Sequence, residues 1–419
     1  MGAAGDDAAW RALLEELTRA VPRGIVPGLA RVRAALAAIG EPAGAFDVVH
    51  VAGTNGKGST CAMIAHGVTD RRVGLYTSPH LHSLTERFRV DGAPLARERV
   101  REAWEAIRAP LAALDLTFFE AVTVLAFELF RREGVALAVL ETGLGGRLDA
   151  TNVIARPLVT ALTRIALDHQ AWLGDDLASI AFEKAGILRA GVPCVVGLQA
   201  PAADAVITRV AQELGAPLVR ARCEGPAEAL VVCAGARSSP PLALGLAGAH
   251  QRENAAVAVG VLGVLSERGV GVDLARALEA SWPGRLERLA GSPPVLVDGA
   301  HNPDGVAALG AHLDAAEPAR PRVLVFGAMR DKEWPAMLGA LRESTEHVVL
   351  TRAALARSED PAQMAAPGDH VAPTVPEAVA LARALAGPEG LVVVAGSLFV
   401  VAEARAAVLG IEGDPPVAL

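Results

Sequence analysis

One short stretch of the sequence combines the residue types that bind the phosphates of a nucleotide. It follows an apolar segment and contains Gly53, Thr54, Asn55, Gly56, Lys57, Gly58, Ser59 and Thr60. Glycines let backbone N–H groups surround phosphate oxygens, and the start of the next helix adds the positive end of its dipole. Lys57 offers a charge to the outer phosphates, and Ser59 or Thr60 offers a hydroxyl to Mg²⁺. The stretch predicts a phosphate loop rather than a glycine-rich turn with a solvated lysine, although Gly58 separates the lysine from the hydroxyls, unlike the usual motif.

Three further polar residues stand where apolar, strand-like segments end. Ser78 lies in YTSPH, Glu141 closes VALAVLE, and His169 lies in LDHQAWLG. In open α/β sheets, ligands bind beyond the carboxyl ends of the strands, and Mg²⁺ prefers oxygen ligands. Each residue also has a plain structural interpretation, as a turn residue, a helix cap or a loop hydrogen bond. Their common position at strand ends favours a metal site beside the phosphate loop.

Lys184, in IAFEKAGIL, has no such signal of its own. Its spacing places it as one polar residue on an amphipathic helix, where a solvated lysine or a pair with Glu183 is the ordinary interpretation. Periodicity alone therefore gives this lysine no functional role.

The elements that position these residues alternate between strand-like and helical segments. From residue 45 to about 200 this alternation predicts βαβ units and a mostly parallel sheet. Proline and glycine cluster near residues 282–294, and the alternation then resumes over a shorter length. The sequence predicts an ATP-binding domain over residues 1–284, a linker over 285–293 and a smaller α/β domain over 294–419.

Composition restricts the function classes. The chain has 419 residues and a net charge of −8, which argues against a nucleic-acid partner. The four cysteines show no metal-like or disulfide-like spacing. The N-terminal residues lack an apolar signal core, and no apolar run reaches the length of a bilayer span. We expect a cytoplasmic protein without a membrane segment, and a monomer by default.

The order of motifs along the chain resembles the folylpolyglutamate synthases of the Mur ligase superfamily. The phosphate-loop variant GTNGKGS carries the resemblance first. It continues over some 350 residues through PGLARVRAALAAIGEP, SLTERFRVDG, TFFEAVTVLAFELF, ETGLGGRLDATN, ALDHQAWLG, AFEKAGI, GAHQRENAAVAVG, WPGRLE, VDGAHNPDG, FGAMRDKEW and GSLFVVAEAR. The resemblance implies an N-terminal P-loop Mur-ligase-like ATPase domain with a mostly parallel sheet, followed by a smaller Rossmann-like α/β domain. It also implies transfer of the γ-phosphate of ATP to a carboxylate and attack of an amine on the acyl phosphate.

The resemblance also implies roles for single residues. Lys184 matches a lysine that carries a carbamate, which would supply an oxygen ligand to a second Mg²⁺. The implied metal ligands are Ser59, Ser78, Glu141, His169 and Lys184, and the implied catalytic residues are Lys57, His169, Lys184 and Arg285. Asn254, Arg285 and Asp298 match residues that contact ATP, with Arg285 reaching the phosphates from between the domains. His301 and Ser397 match residues near the incoming L-glutamate.

Two segments resemble the family's pterin-binding positions. They comprise Thr117, Phe118, Phe119 and Glu120 in LTFFEA, and Leu148, Asp149 and Ala150 in RLDATN. An aromatic ring can stack on a flat pterin, and carboxylates can accept its ring N–H groups. The competing interpretation makes Phe119 a core residue. Ala121 and Val122 depart from the larger or more polar residues of bacterial relatives, which leaves the fine substrate preference open.

The sequence therefore predicts a ligase that adds L-glutamate to dihydropteroate, to reduced folates, or to both. A bifunctional dihydrofolate synthase/folylpolyglutamate synthase is the first prediction, and a monofunctional folylpolyglutamate synthase is the alternative. A P-loop kinase or ATPase, and a nucleotide-binding regulatory module, would share the loop without needing the remaining motifs. A peptidoglycan-type Mur enzyme would carry a further domain before its phosphate loop, for which residues 1–52 offer little room.

Overall fold

Two separate sheets organise the chain, which is described here by a computed structural model over residues 3–21 and 24–415. The elements around the first sheet, in chain order, are α1 Ala3–Thr18, α2 Ala30–Ala38, β1 Asp47–Ala52, α3 Lys57–Gly67, β2 Val73–Tyr76, β3 Phe88–Val90, β4 Ala93–Pro94, α4 Arg97–Leu111, α5 Phe118–Arg132, β5 Leu137–Glu141, β6 Val159–Leu162, α6 Gln170–Leu173, α7 Leu177–Ala185, β7 Cys194–Val196, α8 Pro201–Leu214, β8 Leu218–Glu224, β9 Val231–Ala234, β10 Arg237–Ser238, α9 Ala249–Glu267 and α10 Leu274–Leu278. The elements around the second sheet are β11 Glu287–Leu289, β12 Val295–Val297, α11 Pro303–Ala316, β13 Arg322–Phe326, α12 Trp334–Arg342, β14 His347–Leu350, α13 Pro361–Met364, β15 His370–Val371, α14 Val375–Ala386, β16 Leu391–Ala395 and α15 Leu398–Leu409.

The first sheet has ten strands in the order β10-β9-β8-β7-β6-β1-β5-β2-β3-β4. The strands from β8 to β2 run parallel, and antiparallel strands extend the sheet at both ends. The central strands β5 and β6 are buried along their whole length, as expected for parallel strands covered on both faces. Strand β9 alternates buried and half-buried positions, which suits an antiparallel strand with one solvated face.

The register of the central strands brings the candidate residues to one edge of the sheet. In β1, Val51 pairs with Glu141 of β5, and Ala52 pairs with Leu162 of β6. The phosphate loop therefore leaves β1 beside the last residue of β5. Because parallel neighbours end at the same edge, the loops after β1, β2, β5 and β6 meet there.

Helices cover both faces of this sheet. Helices α3 and α9 pack against each other on one face, with Met63, Ile64 and Leu262 fully buried. Helix α5 packs on the other face through Phe127 and Phe130. The start of α3, where the phosphate loop lies, is thus fixed by a helix packed between the sheet and α9.

The second sheet has six strands in the order β11-β12-β16-β13-β14-β15, and β12 to β15 are parallel. Strand β11 lies within the predicted linker 285–293 and pairs antiparallel with β12, so that part of this segment belongs to the second sheet. The prediction of a large, mostly parallel sheet followed by a smaller α/β unit is confirmed. Among the described residues, no helix is long and apolar enough to cross a membrane.

Candidate active site

The phosphate loop depends on glycines at points of very close approach. Gly56 precedes α3 with φ +88°, and a Cβ atom there would lie 1.9 Å from Oδ1 of Asn254. A Cβ atom on Gly53 would lie 1.8 Å from Oγ1 of Thr163. Neither position has room for a side chain, and φ at Gly56 favours glycine independently. The loop is therefore held close to β6 and to α9.

Lys57 is the first residue of α3, and its Nζ donates a hydrogen bond to the carbonyl oxygen of Thr54 at 3.1 Å. Its charge acts on three groups of the predicted site, the buried Glu141 and Lys184 and the more exposed His169. Burial has the largest effect on the pKa of each group, and the Lys57 ammonium shifts each pKa downward. The positive charge at the start of α3 therefore acts on each of the three groups.

The two hydroxyl residues of the loop have different surroundings. The Oγ atom of Ser59 accepts a hydrogen bond from Nε2 of Gln251 at 3.3 Å. The Oγ1 atom of Thr60 is buried and has no hydrogen-bond partner among the described residues. Asn254 donates through Nδ2 to Oε1 of Gln251 at 2.9 Å, so α9 supports the loop through two polar residues. Asn254, predicted to contact ATP, lies directly over Gly56.

Glu141 and Ser78 are joined by one hydrogen bond. The backbone N–H of Ser78 donates to Oε2 of Glu141 at 3.0 Å, and Glu141 is 5% exposed. Burial raises the pKa of Glu141, while the charges of Lys57 and Arg285 and the Ser78 amide oppose that shift. A small cleft brings the surrounding groups together, with a lining that includes Gly58, Ser78, Glu141, Trp282, Arg285 and Leu398.

Lys184 is 4% exposed, and its Nζ donates to the carbonyl oxygen of Gly53 at 2.8 Å. Burial, followed by the Lys57 charge, lowers its pKa to about 7. The sequence-based interpretation of a solvated lysine is therefore wrong, because the side chain crosses from α7 to the phosphate loop. A lysine amine with this pKa is substantially neutral near pH 7, which is the form that reacts with CO₂.

His169 lies before α6 in the left-handed backbone region with φ +52°. Although 39% of its side chain is exposed, partial desolvation by the surrounding protein lowers its pKa to about 4, and the Asp168 carboxylate opposes the shift. Its imidazole is therefore neutral at pH 7 and suited to bind a metal. Within the described ranges, no cluster of three or more His, Cys, Asp or Glu residues that would hold a metal occurs.

Asp168 is a site residue that sequence reasoning missed. Its Oδ1 accepts from Nζ of Lys332 at 2.5 Å, and its Oδ2 accepts from Nδ2 of Asn302 at 3.1 Å. The Nε2 atom of His301 lies 3.6 Å from the same Oδ2. Burial alone would raise the pKa of Asp168, but the neighbouring His301 and Lys332 groups hold it well below its usual value. Asp168 thus connects the first unit to three residues of the second.

The phosphate loop itself also contacts the second unit. Asn55 donates through Nδ2 to Oδ1 of Asn302 at 3.2 Å and to Oδ2 of Asp304 at 2.8 Å. Arg164, after β6, donates through Nε to both Asp304 oxygens, at 2.8 and 3.0 Å. The start of α11 is therefore fixed against the loop, a contact that the sequence motifs did not indicate.

Arg285 and Asp298 meet where the chain passes between the sheets. Asp298 accepts from the N–H of Leu286 at 2.8 Å and from the N–H of Ala300 at 2.9 Å. A Cβ atom on Gly299 would lie 2.0 Å from Nη1 of Arg285, so the glycine makes room for the guanidinium. In this structure Asp298 holds the backbone next to Arg285, and Arg285 lines the cleft.

The residues predicted near glutamate lie at the carboxyl edge of the second sheet. The Nδ1–H group of His301 donates a hydrogen bond to the carbonyl oxygen of Gly299 at 2.7 Å. Ser397 precedes α15, and its Oγ accepts from the N–H of Phe399 at 3.2 Å. Leu398, the next residue, reaches the cleft.

In the first predicted pterin segment, the polar groups bond to the protein itself. Thr117 and Glu120 form a capping box at the start of α5, with the N–H of Thr117 donating to Oε2 of Glu120 at 2.8 Å. Arg31 donates to both oxygens of Glu120, at 3.0 and 2.8 Å. Phe118 is 2% exposed beneath the Arg87 guanidinium, which lies 5.5 Å from the ring centroid.

Phe119 of the first segment packs against the loop that leads to the second segment. A Cβ atom on Gly143 would lie 2.4 Å from Cζ of Phe119, so the ring packs on the loop after β5. Asp149 holds that loop by accepting from the N–H groups of Gly143 and Leu144, at 2.9 and 2.8 Å. Leu148 is 36% exposed, while Ala150 is buried.

Comparisons with known proteins agree with this geometry. A family model described as Mur ligase, glutamate ligase domain matches residues 284–398. A Bacillus subtilis (strain 168) protein named dihydrofolate synthase/folylpolyglutamate synthase is 36% identical over 355 residues, which are 78% of this chain and 81% of that protein. A Haloferax volcanii protein named probable bifunctional folylpolyglutamate synthase/dihydropteroate synthase is 37% identical over 412 residues. That alignment covers 91% of this chain but 48% of the relative, so the chain spans about half of its length.

Among solved structures, a Yersinia pestis bifunctional folylpolyglutamate synthase/dihydrofolate synthase complexed with AMPPNP and an Mn ion superimposes with a TM-score of 0.85. The two chains are 33% identical, and the match covers 96% of this chain and 98% of the other. The likeness therefore extends over both sheets and over the cleft between them.

Proposed function

The chain belongs to the folylpolyglutamate synthase/dihydrofolate synthase family, and on that premise we propose that it is a bifunctional ATP-dependent ligase. It adds L-glutamate to dihydropteroate and to the γ-carboxylate of tetrahydrofolate or its polyglutamates. The observation that carries this proposal is that Lys57 and Lys184 both bond to the phosphate loop, which leaves β1 beside Glu141, next to a cleft that Arg285 also lines.

In the proposed reaction, the phosphate loop holds the phosphates of ATP through its backbone N–H groups. The acceptor carboxylate attacks the γ-phosphorus, the bond to the β-phosphate oxygen breaks, and ADP leaves. Lys57 and Arg285 stabilise the charge that spreads over the transferring oxygens. The glutamate amine then attacks the acyl phosphate carbon, loses a proton and displaces phosphate.

The residues present fit a Mg²⁺ requirement. Glu141 offers a buried carboxylate, His169 a neutral imidazole, and Ser59 and Ser78 hydroxyl oxygens. The buried, unpartnered hydroxyl of Thr60 adds a further oxygen in the same loop. Bound Mg²⁺ would neutralise charge on the phosphates, and we propose that two ions are used.

We propose that Lys184 carries a carbamate. Its neutral amine attacks CO₂ and releases one proton, which converts the buried amine into a carbamate with an anionic oxygen ligand. The lowered pKa and the burial support this assignment. Intact-mass measurement under bicarbonate should show the gain of one CO₂, and the Lys184→Met variant should show none.

The remaining assignments follow the family positions and are proposals. Asn254 and Asp298 act at the nucleotide, and His301 and Ser397 act at the glutamate. The acceptor lies along Phe119 and the loop after β5, in a site whose walls are formed by the segments of Thr117, Phe118, Glu120, Leu148, Asp149 and Ala150. We propose a monomer, which light scattering after gel filtration tests.

The test of the function is ADP release by the purified protein with MgATP and glutamate. Dihydropteroate and tetrahydrofolate are compared as acceptors, and each reaction is repeated without glutamate. Turnover with both acceptors supports the bifunctional enzyme, and turnover with tetrahydrofolate alone supports the monofunctional alternative. ADP release that ignores glutamate identifies an ATPase or kinase, and ATP binding without any turnover identifies a regulatory module.

A further inference from the structure

A short segment that follows α15 returns from the second unit to the first. Within it, the carboxylate of Asp414 is only 3% exposed and accepts hydrogen bonds from four donors. These donors are Trp10 Nε1 at 2.8 Å, Ser83 Oγ at 2.8 Å, Leu84 N at 2.8 Å and Arg97 Nη2 at 3.0 Å. They come from α1, from the loop between β2 and β3, and from α4, so one carboxylate joins three parts of the first unit.

The backbone strengthens this contact. The N–H of Asp414 donates to the carbonyl oxygen of His82 at 2.6 Å. A Cβ atom on Gly413 would lie 3.1 Å from the same oxygen, which shows how closely the two backbones approach. Helix α15 adds a second attachment, because Nη1 of Arg405 lies 2.9 Å from Nε2 of His82. The second unit therefore holds the loop at His82, Ser83 and Leu84.

This loop, residues 78–87, begins at the candidate metal ligand Ser78. Its interior is held by Glu86, whose carboxylate accepts from the N–H groups of Leu81, His82 and Ser83 at 2.8–3.1 Å. At its start, the Ser78 N–H is bonded to Glu141. The backbone N–H groups of Ser78 and of residues 81–84 are thus all hydrogen-bonded to carboxylates, which ties the loop at its start and at its middle.

We propose that Asp414 is a positioning residue, which fixes the loop from the second unit so that Ser78 meets the metal–nucleotide complex beside Glu141. The inference rests on the proposed function only in taking Ser78 as a metal ligand. The chemistry requires a carboxylate, because all four partners donate and an amide would turn its own N–H groups toward two of them. Asp414 acts through the loop and does not itself touch a substrate in this proposal.

The experiment compares Asp414→Asn with a matched variant, Asp369→Asn. Asp369 is also a buried carboxylate, with 5% side-chain exposure, and it accepts from Arg342 and from the N–H of Ala366. It lies beside the second sheet, and within the described part of the chain none of its hydrogen bonds reaches residues 78–87. Both variants remove the charge of a satisfied carboxylate, and only the first touches the loop.

Hydrogen–deuterium exchange supplies a readout that needs neither metal nor turnover. In Asp414→Asn, the amides of residues 81–84 should exchange about tenfold faster, the change that corresponds to losing ~1.4 kcal/mol of local protection. Asp369→Asn should leave these amides unchanged. Because the measurement uses the protein alone, it tests the loop contact even if the proposed ligase activity fails.

The second readout is Mn²⁺ binding in the presence of AMPPNP, followed by electron paramagnetic resonance. Asp414→Asn should weaken Mn²⁺ binding about tenfold, the lower end of the range for losing a residue that positions a metal ligand. Asp414→Glu, which keeps the carboxylate, should recover part of the affinity. Affinity for AMPPNP without metal should stay unchanged in all variants.

Equal losses of thermal stability in both aspartate variants, with unchanged exchange at residues 81–84 and unchanged Mn²⁺ affinity, would overturn the proposal and leave Asp414 as a purely stabilising residue. If Asp414→Asn does not fold, Trp10→Phe replaces it, since this change removes one donor and keeps an aromatic ring. It should shift both readouts in the same direction by a smaller factor, and no shift at all would again overturn the proposal.

Discussion

Glu141 and Asp149 are two buried carboxylates on either side of the same loop, and they differ in what satisfies them. Both are 5% exposed, and burial raises the pKa of both. Asp149 accepts four hydrogen bonds, from the N–H groups of Gly143, Leu144 and Thr151 and from the Thr151 hydroxyl. Glu141 accepts one hydrogen bond, from the N–H of Ser78. Besides this bond, the positive charges of Lys57, Arg285 and Arg87 oppose the rise in its pKa.

This difference separates a residue suited to binding from one that maintains a loop. A carboxylate whose lone pairs are filled by backbone N–H groups has little capacity for a ligand. A buried carboxylate that faces charges through space is stabilised further when a cation arrives. We therefore expect Glu141 to act on the reaction and Asp149 to act on the fold, although the family resemblance places both among ligand-binding positions.

The largest expected effect is from Glu141→Gln. Loss of the carboxylate that would hold Mg²⁺ should lower kcat by about 10²-fold or more, at or beyond the upper end of the range for disturbing a metal site. The folded pKa of Glu141 lies above its unfolded value, so its contribution to stability falls as pH rises through that folded pKa. Above that folded pKa, Glu141→Gln should therefore leave the melting temperature unchanged or raise it, as differential scanning calorimetry beside steady-state kinetics can show. If Glu141→Gln melted well below the parent, Glu141 would be a structural carboxylate like Asp149, and the expected difference between the two would be wrong.

Lys184→Met extends the comparison from the two buried carboxylates to a buried lysine. We expect ligase activity to disappear while the free energy of unfolding rises. The folded pKa of about 7 lies below the usual lysine value of 10.5, so the unfolded chain binds more protons between these pH values. The parent enzyme should therefore gain stability as pH rises through that window, and the variant should lose this dependence. Urea unfolding at low CO₂, from pH 6 to 10, measures it, and identical pH profiles would contradict the assignment.

Asp149→Asn should give the opposite pattern from Glu141→Gln. The amide oxygen of asparagine can still accept from two of the four donors. Its NH₂ group faces the other two donors, so two hydrogen bonds are lost. We expect a loss of about 2 kcal/mol in the free energy of unfolding. The KM for the acceptor should rise because Gly143 and Leu144 lie in the loop beside Phe119, while kcat should change little. A large fall in kcat with unchanged stability would place Asp149 with Glu141 instead.

The fold was predictable because its central segments carry strong local signals. The apolar runs of β1, β5 and β6 and the glycine-rich turn after β1 gave the parallel sheet and its active edge. The strands β8 to β10 and helices α4 and α8 had no comparable role in the prediction. They extend or cover the sheet without ending at the candidate site.

The candidate site was only partly predictable, for a physical reason. Motifs mark residues that lie near one another in sequence, such as Lys57 and Ser59. The bonds of Asp168 to Lys332, of Asn55 to Asp304 and of Asp414 to Ser83 join residues that are far apart in the chain. The periodicity around Lys184 indicated a solvated side chain. Helical spacing shows which face of a helix a residue lies on, but not that its side chain reaches the phosphate loop.

The smallest expected effect is from Thr117→Ala, which tests whether a residue of the first predicted pterin segment is structural, as we expect for Asp149. Thr117 and Glu120 cap α5, and Arg31 also holds Glu120, so this segment resembles Asp149 more than Glu141. Loss of the cap should cost about 1 kcal/mol of stability, with kcat and the KM for ATP unchanged. Chemical denaturation and kinetics with both acceptors measure these effects. Thr374→Ala, which removes the N-cap threonine of α14 in the second unit, is the control for loss of a helix cap alone. A selective rise in the KM for dihydropteroate would show that Thr117 contacts the acceptor. The capping box of α5 would then contain a residue that binds substrate as well as one that stabilises the helix.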